Sequence, residues 1–273
     1  MLIWGQRTYV MGILNVTPDS FSDGGQYFDL ESAIAQGKKL VAEGADILDI
    51  GGQSTRPGAT IVPLDEELRR VVPVVKALAA MVHVPISIDT TRSVVAAEAL
   101  AAGATWVNDV SGGTEDPELL PVAARAGATV VLMHRRGNPQ TMQSLTDYRD
   151  LIGEVHEFLA QQRDKARHLG IREIILDPGI GFAKNTAQNL TLLRELSRFR
   201  DLDCPLLVGP SRKSFIGHIL NQPDPQQRVW GTAAACCAAI AQGADIVRVH
   251  DVAAIRQVVQ VADAIWRGYG VAT

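Results

Sequence analysis

Short β-rich runs return eight times along this chain, separated by longer segments of helical period. The runs are YVMGILNV (9–16), DILDIGG (46–52), PISIDT (85–90), TWVNDV (105–110), TVVLMH (129–134), EIILDPG (173–179), PLLVGPS (205–211) and DIVRVHD (245–251). Stretches rich in Ala, Leu, Glu and Arg lie between them, such as 65–81, 146–169 and 186–199. Strands alternating with helical segments specify parallel βαβ units. Four helical segments end alike, at Gly44-Ala45, Gly103-Ala104, Gly127-Ala128 and Gly243-Ala244, each just before a strand. Glycine supplies the left-handed conformation that stops a helix. A self-similar helix–Gly-Ala–strand unit indicates a repeated architecture. Eight such units predict one (β/α)8 barrel over residues 1–273, with a doubly wound open sheet as the alternative. The 273 residues, 47% of them hydrophobic, suit a single buried domain of that kind.

Composition narrows the partners. A formal net charge of −4 advertises no polyanionic partner, so nucleic-acid binding is not expected. Cys204, Cys236 and Cys237 match no zinc or redox spacing and read as reduced, core-packed thiols. MLIWGQRTYV lacks a basic-then-apolar leader pattern, and AAACCAAIA (233–241) falls far short of the roughly 20 residues a bilayer demands. A cytoplasmic enzyme or binding protein, with no membrane partner, is the expectation.

The strand ends carry the chemistry. Runs that should be apolar inside a barrel finish in Asn15, Asp49, Asp89, Asn108 and Asp109, His134, Asp177, Ser211 to Lys213, and Arg248 with His250. In this fold the C-terminal strand ends form the active-site face. Stability does not explain polar groups delivered to one rim, because burying them unpaired is costly.

The rim divides in two. Asp89, Asn108 and Asp177 suit a flat heterocycle with amidine-like N–H edges, since an ionised Asp accepts two parallel hydrogen bonds. Asp177 before Pro178 also suits an ordinary Asp-Pro turn, but Gly179 and Gly181 are expected to clear space for a ligand. The other half is cationic: Ser211, Arg212, Lys213 and Ser214 follow the seventh run, and Arg248 and His250 end the eighth. Loops after strands seven and eight are the recurrent phosphate site of these barrels. GPSRKS lacks the GxxxxGK[ST] spacing, which removes nucleotide binding by a P-loop. The SRK turn alone would pass as a solvated basic turn; with Arg248 and His250 converging on it, an anion site is favoured.

Two connections, NVTPDSFSDGG (15–25) and GGQSTRPGA (51–59), exceed the roughly 2–6 residues usual for βα loops. Long polar loops with Gly and Pro over a barrel mouth read as lids or substrate loops. No HxH or HExxH pattern marks a transition metal, and lone His134 reads as structural or supporting.

In this order and at these intervals, NVTPDSFSDGG, GGQSTRPGA, SIDT, VNDVSGG, ILDPGIGFAK, VGPSRKSFIG and RVHD resemble the dihydropteroate synthase family over essentially the whole chain. The resemblance implies a pterin pocket and catalytic set of Asp89, Asn108, Asp177, Lys213 and Arg248. It implies pyrophosphate binding by Asn15, Arg56, Arg248 and His250, with Asn15 also a Mg2+ ligand. Phe21, Thr55 and Pro57, with Lys213 and Ser214, would enclose p-aminobenzoate, and Asp23 would order the first loop. It further implies early C–O cleavage from pyrophosphate, capture of the pterin methylene cation by the arylamine, and a homodimer built on helices away from the mouth. The long loops are expected to assemble the second-substrate site only after the first substrate is bound.

Two positions depart from the family pattern. Gln53 stands where an acidic residue is common, and Pro210 where a small hydroxyl residue is usual before SRK. Two rival readings remain: a pterin-binding methyltransferase-type domain, and a catalytically inactive pterin-binding barrel. The first would have no use for STRP, SRK and RVH together; turnover separates the second.

Overall fold

Each β-rich run forms a parallel strand: β1 (Tyr9–Asn15), β2 (Ile47–Gly51), β3 (Ile86–Asp89), β4 (Trp106–Asp109), β5 (Thr129–Met133), β6 (Ile174–Asp177), β7 (Leu207–Val208) and β8 (Ile246–Val249). The helices between and after them are α1 (Leu30–Ala42), α2 (Leu64–Ala79), α3 (Ser93–Ala101), α4 (Leu119–Ala126), α5 (Leu151–His168), α6 (Thr186–Arg194), α7 (Ser214–Leu220), α8 (Val229–Ala241) and α9 (Val252–Arg267). The computed structural model describes residues 2–17, 30–54, 58–60 and 62–270.

The strands pair in the order β6-β5-β4-β3-β2-β1-β8-β7. The two ends of that order meet through a parallel bridge between Leu176 and Leu206, and Leu176 N donates to Pro205 O at 2.9 Å. The sheet closes on itself as a (β/α)8 barrel, so the open-sheet alternative falls. β7 is shorter than its run because Pro205 and Pro210 have no N–H to give a ladder. α5 starts later than the 146–169 segment suggested because Asp150 caps it, accepting from Gly153 N at 3.0 Å.

The Gly-Ala pairs do what their position implies. Gly44, Gly103, Gly127 and Gly243 have φ of +101°, +114°, +64° and +93°. Each following alanine donates its N–H to a carbonyl five residues back (Ala45 to Leu40, Ala104 to Ala99, Ala128 to Ala123, Ala244 to Ala239) at 2.9–3.0 Å. That is the Schellman closure, which satisfies the last helical carbonyls before the chain turns into a strand. Gly170-Ile171 closes α5 in the same way without the alanine.

Period-two alternation separates two packing layers. Val10, Leu14, Leu48, Ile50, Ile88, Val107, Val130 and Leu176 face the helices. In the opposite phase, Tyr9, Met11, Ile47, Trp106, Val131, Ile175, Leu207 and Ile246 fill the barrel interior. Trp4 plugs its lower end, with ring centroids 5.5 Å from Tyr9 and 6.5 Å from Trp106. Continuing that inward phase toward the C-terminal strand ends reaches Asn15, Asp49, Asp89, Asn108, Asp177 and Arg248. A hydrophobic floor thus gives way to a polar layer where the active-site face of this fold lies.

The three cysteines carry free thiols, Cys236 buried and Cys204 and Cys237 half-buried. Among the described residues no helix is long and apolar enough to cross a membrane.

Candidate active site

Three connected groups build the rim. The first joins β2, β3, β4 and β8. Arg248 Nε donates to Asp49 Oδ2 at 2.5 Å and Arg248 Nη2 to Asp89 Oδ2 at 2.6 Å. Asn108 Nδ2 donates to the same Asp49 Oδ2 at 2.9 Å. Of the four, only Arg248 is half-buried; Asp49, Asp89 and Asn108 are buried. Burial pushes the Asp89 carboxyl up to about 7; Arg248 opposes that rise, and Asp49 adds to it. Burial also works against the Arg248 charge, but Asp49 and Asp89 outweigh it and raise its pKa.

The second group centres on the β6–α6 turn. Asp177 Oδ1 accepts from Gly179 N at 2.7 Å, so the Asp-Pro turn forms and one carboxylate oxygen is committed to it. Burial lifts Asp177 to about 6 against the opposing pull of that bond and of Lys213, Lys184 and Arg248. Lys213 Nζ lies 4.0 Å from the Phe182 ring centroid. The glycines here serve the protein rather than a ligand. A Cβ on Gly181 would lie 2.8 Å from Lys213 Cδ, and one on Gly179 would lie 1.9 Å from the His134 carbonyl oxygen. The expectation that they clear ligand space is therefore corrected: Gly181 makes room for Lys213, and Gly179 lets β5 and the β6 turn touch. Gly179→Ala is expected to cost about 3 kcal/mol, combining a left-handed Cβ penalty of ~1–2 with overpacking of ~1–3 kcal/mol. Urea unfolding of the variant measures this; a midpoint equal to wild type contradicts it.

The third group is Asn15, Ser211 and His250. Asn15 Nδ2 approaches His250 Nε2 at 3.5 Å, and Ser211 Oγ lies 3.0 Å from His250 Nδ1 and accepts from His250 N at 3.2 Å. Ser214, the first residue of α7, is exposed. Arg212 does not join the cationic half as expected. It sits at φ +59° and forks onto Asp251 at 3.0 and 2.5 Å, while its N–H donates to Thr232 Oγ1 at 3.0 Å. Its charge is spent bracing the seventh loop against the end of β8.

Phe21, Asp23, Thr55, Arg56 and Pro57 lie outside the described residues. Around them, Gln53 Oε1 accepts from Val62 N at 3.1 Å, so the neutral amide still supplies an acceptor to the second loop. Gly52 packs against α2, where a Cβ would meet Val71 at 2.8 Å. A cavity of ≈ 360 Å³ opens beside Asp89, lined by Gln53, Val110, Arg135 and Asn138 among others. Among the described residues no group of three or more His, Cys, Asp or Glu side chains could hold a metal ion.

Sequence reasoning missed two groups. Lys184 is buried with Nζ 2.9 Å from His134 Nδ1 and 2.9 Å from the Phe182 carbonyl oxygen, tying β5 to the β6 turn. Burial and Lys184 push His134 down to about 2, and its ring packs edge-on against Phe158. His134 is thus a neutral strut. Asp49 stood among the rim residues without a role; its inward phase in β2 was the available signal. Asp109, beside Asn108, is in the other phase and instead accepts from Ser111 N, Ser111 Oγ and Gly113 N, folding the β4–α4 loop.

The raised carboxyls set a pH window. A carboxyl whose folded pKa exceeds its unfolded value binds its proton more tightly when folded, so ionising Asp89 and Asp177 costs stability as pH rises from about 4 through 6 and 7. A ligand donating N–H bonds needs both ionised. Affinity for such a ligand is expected to fall as pH drops below 7 while the empty protein gains stability from these groups. Titration at several pH values between 8 and 5 checks this, and a flat profile contradicts it.

The pterin binding enzyme family model matches residues 11–250. The chain is 64% identical over 266 residues to the dihydropteroate synthase of Synechocystis sp., covering 97% of this chain and 92% of that one. Its fold is similar to the dihydropteroate synthase of Clostridium difficile solved in the presence of pteroic acid, with a TM-score of 0.92, 46% identity, and 98% and 100% of the two chains covered. It is also similar to that of Xanthomonas albilineans with 4-aminobenzoic acid, with a TM-score of 0.89, 47% identity, and 95% and 93% covered.

Proposed function

The chain belongs to the dihydropteroate synthase family of pterin-binding enzymes, and from that membership we propose how its own residues divide the reaction. It condenses 6-hydroxymethyl-7,8-dihydropterin pyrophosphate with p-aminobenzoate, giving 7,8-dihydropteroate and pyrophosphate in folate biosynthesis. The observation that carries the assignment of roles is the polar layer closed by Arg248, Asp49, Asp89 and Asn108 directly above an apolar barrel floor.

Asp89, Asn108 and Asp177 take the N–H edges of the pterin, and Lys213 lies against the pocket wall at Phe182. Asn15, Arg56, Arg248 and His250 hold the pyrophosphate. C–O cleavage precedes attack, so positive charge builds on the pterin methylene beside buried carboxylates while the leaving anion is held by cations. The arylamine nitrogen then forms the new C–N bond and gives up a proton. Phe21, Thr55, Pro57, Lys213 and Ser214 would enclose p-aminobenzoate, with Asp23 ordering the first loop. No covalent nucleophile is required.

The residues fit Mg2+ carried with pyrophosphate. Asn15 turns its amide nitrogen to His250, which leaves Oδ1 as an oxygen ligand. Mg2+ commonly takes one or two protein oxygens beside phosphate and water oxygens. When bound, it screens pyrophosphate charge and makes it a better leaving group.

The enzyme is proposed to act in the cytoplasm as a homodimer; Trp230, Val261, Ile265 and Trp266 are large exposed apolar side chains on α8 and α9. A monomer in sedimentation equilibrium would remove the dimer.

Turnover tests the whole reading: purified protein with the pterin pyrophosphate, labelled p-aminobenzoate and Mg2+ should yield labelled dihydropteroate, and binding without product would indicate the inactive barrel. Binding is expected to be ordered, with p-aminobenzoate affinity rising steeply when pyrophosphate is present. Arg56→Ala should remove much of that coupling and leave pterin binding largely intact. Calorimetry of p-aminobenzoate with and without pterin, pyrophosphate and Mg2+ checks both; equal affinities refute loop assembly.

A further inference from the structure

The inference rests on the pterin-site reading above and concerns how one arginine serves two subsites. The Nε–Nη2 edge of Arg248 straddles two carboxylates, at 2.5 Å from Asp49 Oδ2 and 2.6 Å from Asp89 Oδ2. Asp89 is assigned to the pterin, so without ligand the guanidinium occupies an acceptor the ring needs. Asp49 is 0% exposed, and its Oδ2 already accepts from Asn108 as well. Its Oδ1 is buried with no hydrogen-bond partner among the described residues. An acceptor left so is unusual and calls for an occupant, and a fully buried carboxylate oxygen most of all. The same edge of a guanidinium fits both oxygens of one carboxylate side-on. Arg248 therefore has a second seat within reach, built from the oxygen that now lacks a donor. The Arg248 stem lies beside Gly209, which presents no side chain to obstruct a turn.

We propose that Asp49 is a positioning residue about which Arg248 exchanges partners: when the pterin takes Asp89, Arg248 keeps its Nε bond to Asp49 Oδ2, passes Nη2 to Asp49 Oδ1, and is fixed side-on with Nη1 available to pyrophosphate. The exchange leaves no buried oxygen without a donor. It also makes ring recognition and anion binding one coupled event. By linkage, pterin tightens pyrophosphate and pyrophosphate tightens pterin by the same factor. Asn108, bonded to the same Asp49 oxygen, carries the position of Asp49 to the ring-binding half of the pocket.

Calorimetry with magnesium pyrophosphate, alone and with saturating 6-hydroxymethyl-7,8-dihydropterin, reads the coupling. In wild type the pterin alcohol should tighten pyrophosphate by about tenfold or more. In Asp49→Asn, which offers a single acceptor, pterin binding should change only a few-fold while the coupling falls to near one. Proportional losses of both ligands with the coupling intact would mean Asp49 is only structural, and would overturn the proposal. Should Asp49→Asn not fold, a cycle on Asp89 decides. Asp89→Asn frees Nη2 without ligand, so pyrophosphate alone should bind as it does to wild type with pterin. That gain should vanish when Arg248 is also replaced, in Asp89→Asn with Arg248→Gln. No gain, or a gain that persists without the arginine and so reflects charge removal alone, overturns the exchange. Wild type that makes dihydropteroate yet binds the two ligands independently would sink the exchange only; wild type that neither binds the pterin alcohol nor turns over would sink the functional reading itself.

Discussion

Asp177→Asn is expected to weaken the pterin by about 2–4 kcal/mol, roughly 30- to 1000-fold, with little loss of fold stability. The two effects separate because the two carboxylate oxygens have different tasks. Oδ1 accepts from Gly179 N at 2.7 Å, and an asparagine Oδ1 keeps that turn. The other position becomes an NH2, which meets the ligand donor with a donor and leaves both unpaired. Burial lifts the Asp177 carboxyl to about 6, so removing its charge spares the fold a desolvation cost near neutral pH. Fluorescence titration of the pterin, with thermal unfolding alongside, measures both. Wild-type affinity in the variant would sink the assignment, and weak binding in an unfolded protein would leave Asp177 a structural residue.

Arg248→Ala is expected to strip affinity from pyrophosphate and pterin pyrophosphate far more than from the free pterin alcohol, and to destabilise the protein as well. Its guanidinium is the counter-charge of both Asp49 and Asp89, and its side chain is only 19% exposed. Removing one partner from a buried pair costs about 3–5 kcal/mol, and partial exposure places this case at about 3. The penalty depends on pH with a definite sign. Asp89 sits at about 7 even with Arg248 present; without it the carboxyl rises further and protonates more readily. The stability gap between wild type and variant should therefore narrow from pH 8 to pH 5. Equal losses for ligands with and without the pyrophosphate would show that Arg248 is no anion-site residue. A gap that widens toward acid would contradict its pairing with Asp89.

Local rules made much of the barrel legible. The eight runs, the Gly-Ala closures and the period-two phase of the strands are set within about ten residues of themselves, where sequence spacing is spatial spacing. Position at the C-terminal end of each run placed Asp89, Asn108, Asp177 and Arg248 on one rim from the sequence. It did not distinguish neighbours by task. Asn108 faces inward and Asp109 folds its own loop; Lys213 lies over the Phe182 ring and Arg212 turns away onto Asp251.

What the chain determined by itself is therefore the repeat, the helix stops and the side of each strand on which a residue falls. Tertiary structure alone decided the closure between β6 and β7, the bracing of Lys184 on His134, the space Gly181 leaves for Lys213, and the hold of Asp49 on Arg248. The reason is distance along the chain. Arg248 and Asp49 are 199 residues apart and Asp89 is 159 from the same arginine, yet all three meet within hydrogen-bond reach. No periodicity encodes such a meeting. It follows from closing the sheet, which sets β8 beside β1 and carries the charge of one strand into the interior shared by all.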